Sequence, residues 1–213
     1  VFNRLYRDDP DGKGKTDVQG NDIRPSQLEV KQWQDDGFIR DSQGYYITPL
    51  LFYFKEGDNT ITFEATSEPL TIANLRLANE EARPSYAELQ ETYRQQGYTA
   101  AGTAPIIIQG EDAALKSDPV LYPVTDKTTP TTVPYEKNKQ KLNAIGGYRW
   151  QNPRQFIIWN FHVEKAGLYT ISMKARQNVT RGVKSNRAVY IDGVIPCKEL
   201  EDYQVAFDSK WQM

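Results

Sequence analysis

The loop NAIGGYRWQNPRQF, residues 143–156, carries the side chains best suited to bind a small polar ligand. Sugars present apolar C–H faces and a rim of hydroxyl groups, so their binding sites pair a flat aromatic ring with a few polar groups. A Gly-rich loop directly before an apolar strand is carried by a rigid scaffold, where binding usually occurs. The alternative for the tryptophan is a lid that packs on the core. We predict carbohydrate binding by Asn143, Tyr148, Arg149, Trp150 and Asn152.

A second polar stretch, RQNVTRGVKSNR at residues 176–187, is predicted to form the tip of a hairpin. Arg181 in this tip is added to the candidate carbohydrate-binding residues. The alternative for the same stretch is a solvated hairpin tip without a ligand.

The chain shows no pattern that is typical of catalysis. Catalysis needs a convergent set of groups, and the single histidine, His162, stands inside an apolar strand pattern, which indicates a structural or solvent-facing role. No nucleophile elbow, zinc-protease motif or phosphate loop occurs, and nothing in the sequence pairs two carboxylates across a cleft. The acidic run at residues 8–17 lacks the spacing of an EF-hand and is expected to be a flexible loop. We therefore predict that the chain is not an enzyme.

Composition excludes several further classes of protein. The 213 residues are 38% hydrophobic and 12% aromatic with a net charge near −2, which is typical of a globular chain. Lys and Arg are dispersed, so a nucleic-acid partner is not expected. Cys197 is the only cysteine and cannot form an internal disulfide or a zinc site. No apolar run reaches the roughly 20 residues that span a bilayer, and we expect any targeting signal or anchor to lie outside this chain.

Strand signals outnumber helix signals. Aromatic and β-branched residues are dense in GYYITPLLFYF, and NTITFEAT alternates apolar with polar residues, as in a hairpin with one buried face. Asp192-Gly193 stands between apolar residues and predicts a two-residue hairpin turn. Short strands separated by turns favour an all-β, antiparallel β-sandwich. The predicted strands are residues 44–54, 59–66, 70–77, 156–163, 168–178 and 187–197.

One segment carries helix signals. Ser85 with Glu88 three residues later forms a capping box, and Gly97 is a C-terminal cap. The small residues of YTAAGTAP after this helix are typical of a linker. The chain is therefore predicted to divide into residues 1–80, a helix and linker at residues 81–104, and residues 105–213.

Four stretches together resemble a known family. PIIIQGEDA is similar to the opening strand of galactose-binding-like β-sandwich modules, and RQFIIWNFHVEKAGLYTISMKARQN with AVYIDGVIP is similar to the strands that follow. EGDNTITFEATSEPLTIANLRL resembles the end of such a module. Paired modules of this kind occur in extracellular solute-binding lipoproteins of Gram-positive carbohydrate ABC transporters. The resemblance implies a jelly-roll fold, an oligo- or polysaccharide partner, a cell-surface or extracellular location, and a lipid anchor outside this fragment.

The order of the motifs is inverted. The finishing motif lies at residues 56–77 and the opening motif at residues 105–113, so residues 1–80 correspond to the second half of one module and residues 105–213 to the first half of another. The halves could complete one sandwich, exchange between two chains as a domain-swapped homodimer, or each be completed by further sequence. If they combine in one chain, Val1 and Met213 are expected to lie near each other.

The resemblance also bears on calcium. The family carries a structural calcium site to which two acidic residues of the opening strand contribute. Gln109 stands in place of the first of them here, which leaves Glu111 as the candidate ligand. Calcium prefers several anionic oxygens, so we predict no cofactor, with Glu111 hydrogen-bonded to neighbouring backbone as the alternative to a metal-binding role.

The resulting hypothesis is a non-catalytic carbohydrate-binding or packing module of a cell-surface carbohydrate uptake protein. The alternatives are an accessory carbohydrate-binding domain of a secreted polysaccharide-degrading enzyme and a structural module without a sugar site. A neighbouring periplasmic-binding-protein-like domain would favour uptake, whereas a catalytic barrel would favour the enzyme.

Overall fold

A computed structural model describes residues 4–33, 38–41, 43–46, 48–67, 69–79 and 82–212. The regular elements are short strands, all paired antiparallel, and one α-helix, which confirms the β-rich class predicted above. The elements are, in chain order, β1 (Leu5–Asp8), β2 (Gln27–Val30), α1 (Tyr86–Gln95), β3 (Leu115–Lys116), β4 (Pro123–Val124), β5 (Ala144–Ile145), β6 (Ile157–Ile158), β7 (Ser185–Arg187) and β8 (Tyr203–Val205).

The largest sheet joins the beginning of the chain to its later half. Its strand order is β2-β1-β3-β6, and the pairing of Tyr6 with Lys116 links β1 to β3. Two smaller sheets pair β4 with β5 and β7 with β8. Residues 5–30 therefore share a sheet with residues 115–158, while the predicted division at residues 81–104 stays a prediction. Val1 and Met213 lie outside the described residues.

A buried ion pair crosses the centre of this sheet. The Lys116 ammonium is fully buried and lies 2.5 Å from a carboxylate oxygen of Asp8. The same oxygen accepts a hydrogen bond of 2.6 Å from the Gln27 side chain. Because an unpaired charge is costly in the interior, each partner requires the other, and the pair holds β1 against β3.

The acidic run that connects β1 toward β2 forms ordered turns. The Asp17 carboxylate accepts hydrogen bonds of 2.9 Å from the backbone N–H groups of Gln19 and Asn21. The Asp9 N–H donates to Ser26 O at 2.8 Å and closes the base of the loop. Asx turns of this kind explain why an acidic stretch takes a defined path here.

The predicted helix and hairpin turn are both present. The Ser85 Oγ accepts from the Glu88 N–H, and the Glu88 carboxylate accepts from the Ser85 N–H at 2.7 Å, so the capping box is confirmed. The helix start is tied to residues 198–201 through the Tyr86 N–H, which donates to Glu199 at 2.9 Å. At the turn, Asp192 and Gly193 have φ of 50° and 82°, as a two-residue turn requires.

The apolar core is small. Ala113, Leu121 and Ile157 are buried together, with Ile145, Trp150 and Trp159 packed against them. The total accessible surface is 16585 Å². A compact monomer of this size exposes about 10,000 Å². Much apolar surface is therefore exposed to solvent.

The described residues between 44 and 79 contain no strand, in contrast to the prediction. A strand is defined by a series of lateral backbone hydrogen bonds. Among the described residues of this stretch, only the Leu50 N–H has such a partner, Ile39 O at 2.9 Å, and no ladder forms. Its large side chains are exposed, Leu51 at 73% and Tyr53 at 93%. The strands predicted at residues 156–163, 168–178 and 187–197 are likewise reduced to β6, the last residue of β7 (Arg187) and isolated bridges. Among the described residues, no helix has the length and apolar character needed to cross a bilayer.

Candidate functional site

The 146–155 loop, which contains most of the predicted site, begins with two glycines. Gly146 and Gly147 have φ of 93° and 62°, which glycine adopts most readily. A Cβ at Gly146 would also lie 3.2 Å from the Trp150 ring. The chain then forms a 3₁₀ turn, Gly147–Arg149, closed by a 3.0 Å hydrogen bond from the Trp150 N–H to Gly147 O.

Gln155 holds the second part of the loop. Its side-chain oxygen accepts hydrogen bonds of 3.1 Å from the backbone N–H groups of Gln151 and Asn152. Its backbone carbonyl accepts a 2.9 Å hydrogen bond from the Trp150 indole, and its amide donates to Asp118 at 3.1 Å. The loop is therefore organised before any ligand arrives.

Trp150 is built into the edge of the core. The ring packs against the buried cluster, and the Arg187 guanidinium carbon lies 4.3 Å from the ring centroid. Arg187 also donates to Trp150 O at 2.7 Å. Burial lowers the pKa of Arg187 by penalising its charged form. These contacts match the lid alternative for Trp150, and its contact with a sugar stays a prediction.

The loop displays three of the predicted residues to solvent. Tyr148 is 67% exposed, and Arg149 and Asn152 are exposed as well. The backbone N–H of Asn152 donates to the Gln155 side chain. The Asn152 side chain forms no hydrogen bond within the described part of the chain. These three exposed side chains belong to one loop, and we treat the loop with its neighbours as one candidate surface.

Two residues that the sequence did not single out complete this surface. The Arg24 guanidinium carbon lies 3.8 Å from the centroid of the Tyr122 ring, and that of Arg149 lies 4.6 Å from it. The Arg149 Nε–H also donates to the Tyr122 hydroxyl at 2.7 Å. Arg24 is brought here by the β1–β2 segment, so no local sequence signal could have found it.

Asn143 lies in the interior, away from this surface. Its amide donates to the carbonyl oxygens of Asp126, Thr132 and Pro134 at 2.9, 3.1 and 3.0 Å. Its side-chain oxygen accepts from the Asp126 N–H at 2.7 Å. Every polar atom of the side chain is thus used to hold residues 126–134, and a sugar contact from Asn143 stays a prediction.

Arg181 lies on a separate turn. Gln177 brackets this turn, because its amide donates to Thr180 O and Val183 O at 2.8 and 2.7 Å. Arg181 is exposed, and no hydrogen bond joins it to the 146–155 loop among the residues that the structure describes. The structure therefore does not bring Arg181 into the same surface through direct contacts.

Glu111 lines a different feature, an open cleft of about 200 Å³. Its Oε2 atom is buried and has no hydrogen-bond partner among the residues that the structure describes. Burial above all raises the pKa of Glu111 to about 7, and the charges of Asp112 and Asp22 add to the effect. On the rim of the cleft, the Lys13 ammonium forms an ion pair of 2.6 Å with the Asp112 carboxylate.

This arrangement does not fit a calcium ion. Within the described residues, no three side chains of His, Cys, Asp or Glu are placed to share a metal. A carboxyl that is half protonated near pH 7 is also a poor calcium ligand. His162, the remaining titratable residue of interest, is exposed, in line with a solvent-facing role.

Comparison with known proteins does not identify a family. No family model, curated protein or solved structure matches the chain. The resemblance to galactose-binding-like modules therefore stays a prediction, and a functional assignment depends on the geometry of the surface.

Proposed function

We propose that the chain is a non-catalytic, galactose-binding-like module of a cell-surface carbohydrate uptake protein. In this proposal the 146–155 loop binds an oligo- or polysaccharide. The observation that carries it is the exposed ring of Tyr148 on a loop that its own hydrogen bonds hold in place.

An exposed ring on a fixed loop suits a sugar for two reasons. The apolar C–H face of a pyranose covers an aromatic ring, and removing both surfaces from water is favourable. A loop that is ordered before binding loses little conformational freedom when the ligand arrives. Tyr148 stands at the tip of the 3₁₀ turn, and the Gln155 hydrogen bonds order the residues on its far side.

The polar groups around Tyr148 suit the rim of a sugar. Arg149, Gln151 and Asn152 are exposed next to the ring and offer guanidinium and amide groups. Amides supply both donors and acceptors, which match hydroxyl groups. Trp150 packs against the core beneath this loop and donates to Gln155 O, so Tyr148 is the residue to test.

The test is calorimetric titration with glycans selected on an array. Tyr148→Ala is expected to weaken binding about tenfold or more, because the stacking surface is removed. Tyr86→Ala is the matched control, since Tyr86 is also exposed but lies on α1. Unchanged binding by Tyr148→Ala, or binding of no glycan by the wild type, would contradict the proposal.

A second candidate function is packing against another polypeptide. One observation favours it, namely the exposed apolar side chains of residues 48–67 and 69–79. Stable interfaces bury about 800 Å² per partner, well below the excess surface of this chain. We propose a second copy as the partner, with strands exchanged between the two chains.

Sedimentation equilibrium tests the second candidate. We expect a dimer whose association is weakened by Phe63→Asp and is unaffected by Val18→Asp, a substitution at another exposed apolar residue. A monomer at every concentration would overturn this candidate and leave carbohydrate binding untouched.

A further inference from the structure

The surface next to the 146–155 loop contains two arginines on one tyrosine ring. Arg24 and Arg149 place their guanidinium carbons 3.8 and 4.6 Å from the Tyr122 centroid. The two carbons are therefore no farther apart than the sum of these distances. Both side chains are exposed, and Arg149 directly follows the exposed Tyr148.

Neither arginine forms an ion pair with a carboxylate in the described part of the chain. Arg149 uses its Nε–H for the Tyr122 hydroxyl, which leaves its terminal N–H groups for another acceptor. Some cations elsewhere in the molecule are paired with a carboxylate, as Arg176 is with Asp126 at 2.6 Å. The net charge of the chain is near −2, so this positive charge is local.

Two guanidinium groups on one ring repel each other, because the upper limit of their separation is comparable to the screening length of about 8 Å at physiological salt. An anion between or beside them removes the repulsion. A guanidinium presents a planar fork of donors that matches a carboxylate. Arg187 adds a further positive charge beside Trp150, although its donors are used by the backbone oxygens of Trp150 and Asn186.

We infer that this surface binds a carboxylate-bearing sugar, that is, a uronic acid unit of an acidic oligo- or polysaccharide. Arg24 and Arg149 bind the carboxylate, and Tyr148 takes the face of the same or the adjacent sugar ring. The inference rests on the proposed function, since it assumes that the 146–155 loop binds carbohydrate. The exposed aromatic ring directly next to the arginines favours a sugar over a simple anion.

A pair of ligands that differ only at the carboxyl group, charged in one and esterified in the other, tests the inference on the wild-type protein. A galacturonic acid trisaccharide and its methyl ester are titrated by calorimetry at low and at physiological salt. We expect the acid to bind about tenfold more tightly than the ester at low salt. We expect this advantage to shrink as salt is added, because screening weakens the attraction.

Substitutions then identify the residues that bind the carboxylate. Arg24→Gln and Arg149→Gln are each expected to reduce the affinity for the acid toward that for the ester. The affinity for the ester is expected to stay nearly unchanged in Arg24→Gln, because Arg24 is assigned to the carboxylate alone. Arg181→Gln is the matched control, because it removes the same charge from an exposed turn. Hydrogen exchange over residues 4–30 checks that β1 and β2 remain docked in the Arg24 variant.

The outcomes separate the two proposals. Equal affinity of the wild type for acid and ester overturns the inference and leaves carbohydrate binding in place. An Arg24 or Arg149 variant that behaves like the Arg181 variant also overturns it. If neither ligand nor any neutral glycan binds, the proposed function itself fails.

Discussion

Two clusters of arginine and aromatic residues differ in one respect. In the first, Arg24 and Arg149 lie on the Tyr122 ring, and neither is paired with a carboxylate of the described residues. In the second, Arg176 lies 4.9 Å from the Trp211 ring and is paired with Asp126 at 2.6 Å. The second cluster is closed and mostly buried, whereas the first is open to solvent. The comparison indicates that the paired cluster stabilises the fold and the unpaired one is available to a ligand.

The acid in the paired cluster is held by several donors. Thr128 Oγ donates to Asp126 at 2.6 Å and the Trp211 indole at 3.2 Å. Burial raises the pKa of Asp126, but hydrogen bonds from Thr128 and Trp211 and the charge of Arg176 outweigh it, so the pKa is lowered. The cluster thereby links residues 126–128 with residues 176 and 211.

The largest expected effect comes from breaking the paired cluster. Asp126→Asn leaves the nearly buried Arg176 without its counter-charge, and we expect the free energy of unfolding to fall by about 3 kcal/mol. Urea unfolding measures this change. Asp202→Asn, at a partly exposed acid without an ion pair among the described residues, is the control. A loss no larger than that of the control would mean that the ion pair does not stabilise the fold.

The second prediction compares how stability depends on pH through Asp126 and through Glu111, an acid without an ion-pair partner among the described residues. Because the folded pKa of Glu111, about 7, is above its unfolded value, the native state binds more protons between pH 4.5 and 7. Its contribution to stability is therefore present at low pH and lost as the pH rises through 7. Asp126 behaves oppositely, since its lowered pKa contributes stability that is lost as the pH falls below about 4.

Unfolding at pH 5 and pH 8 measures this difference. Glu111→Gln is expected to stabilise the protein at pH 8 by about 1 kcal/mol, a value reduced because the carboxyl is partly solvated. At pH 5 the variant is expected to match the wild type closely. Equal effects at both pH values would show that the Glu111 carboxyl is not held in an environment that raises its pKa.

The smallest change in the free energy of unfolding is expected in the cluster of Arg24, Arg149 and Tyr122. Arg149→Gln removes a cation from the ring and also removes repulsion from Arg24, so the free energy of unfolding should change by less than about 0.5 kcal/mol. Urea unfolding of this variant beside Asp126→Asn completes the comparison. A loss of 2 kcal/mol or more, on the order of a buried contact, would assign Arg149 to the fold and not to a ligand.

Features specified by neighbouring residues could be predicted from the sequence. The helix follows from the Ser85 and Glu88 capping box, and the hairpin turn from Asp192 and Gly193, whose positive φ values this dipeptide tolerates. Tyr148, Arg149 and Asn152 share one surface because they share one loop. In each case the interacting atoms are only a few residues apart.

Features that depend on distant residues could not be predicted. The apolar segment at residues 48–67 has strand composition, but pairing requires a lateral partner that composition does not specify. Arg24 reaches Tyr122 because β1 pairs with β3, a non-local contact. Asn143 was predicted as a ligand contact because an asparagine before two glycines suits a binding loop, yet its amide is turned inward.

The hydrogen bonds of Gln155 hold the backbone of the 146–155 loop without using the side chains that the loop exposes to solvent. Gln155 binds the backbone of residues 151 and 152 and the indole of Trp150, and needs nothing from the side chains at positions 148, 151 and 152. Those three positions can therefore be varied in a library that excludes proline, which lacks the N–H that Gln155 binds at residues 151 and 152. If the loop binds a sugar as proposed, such a library changes the side chains that face the sugar and keeps the backbone that presents them.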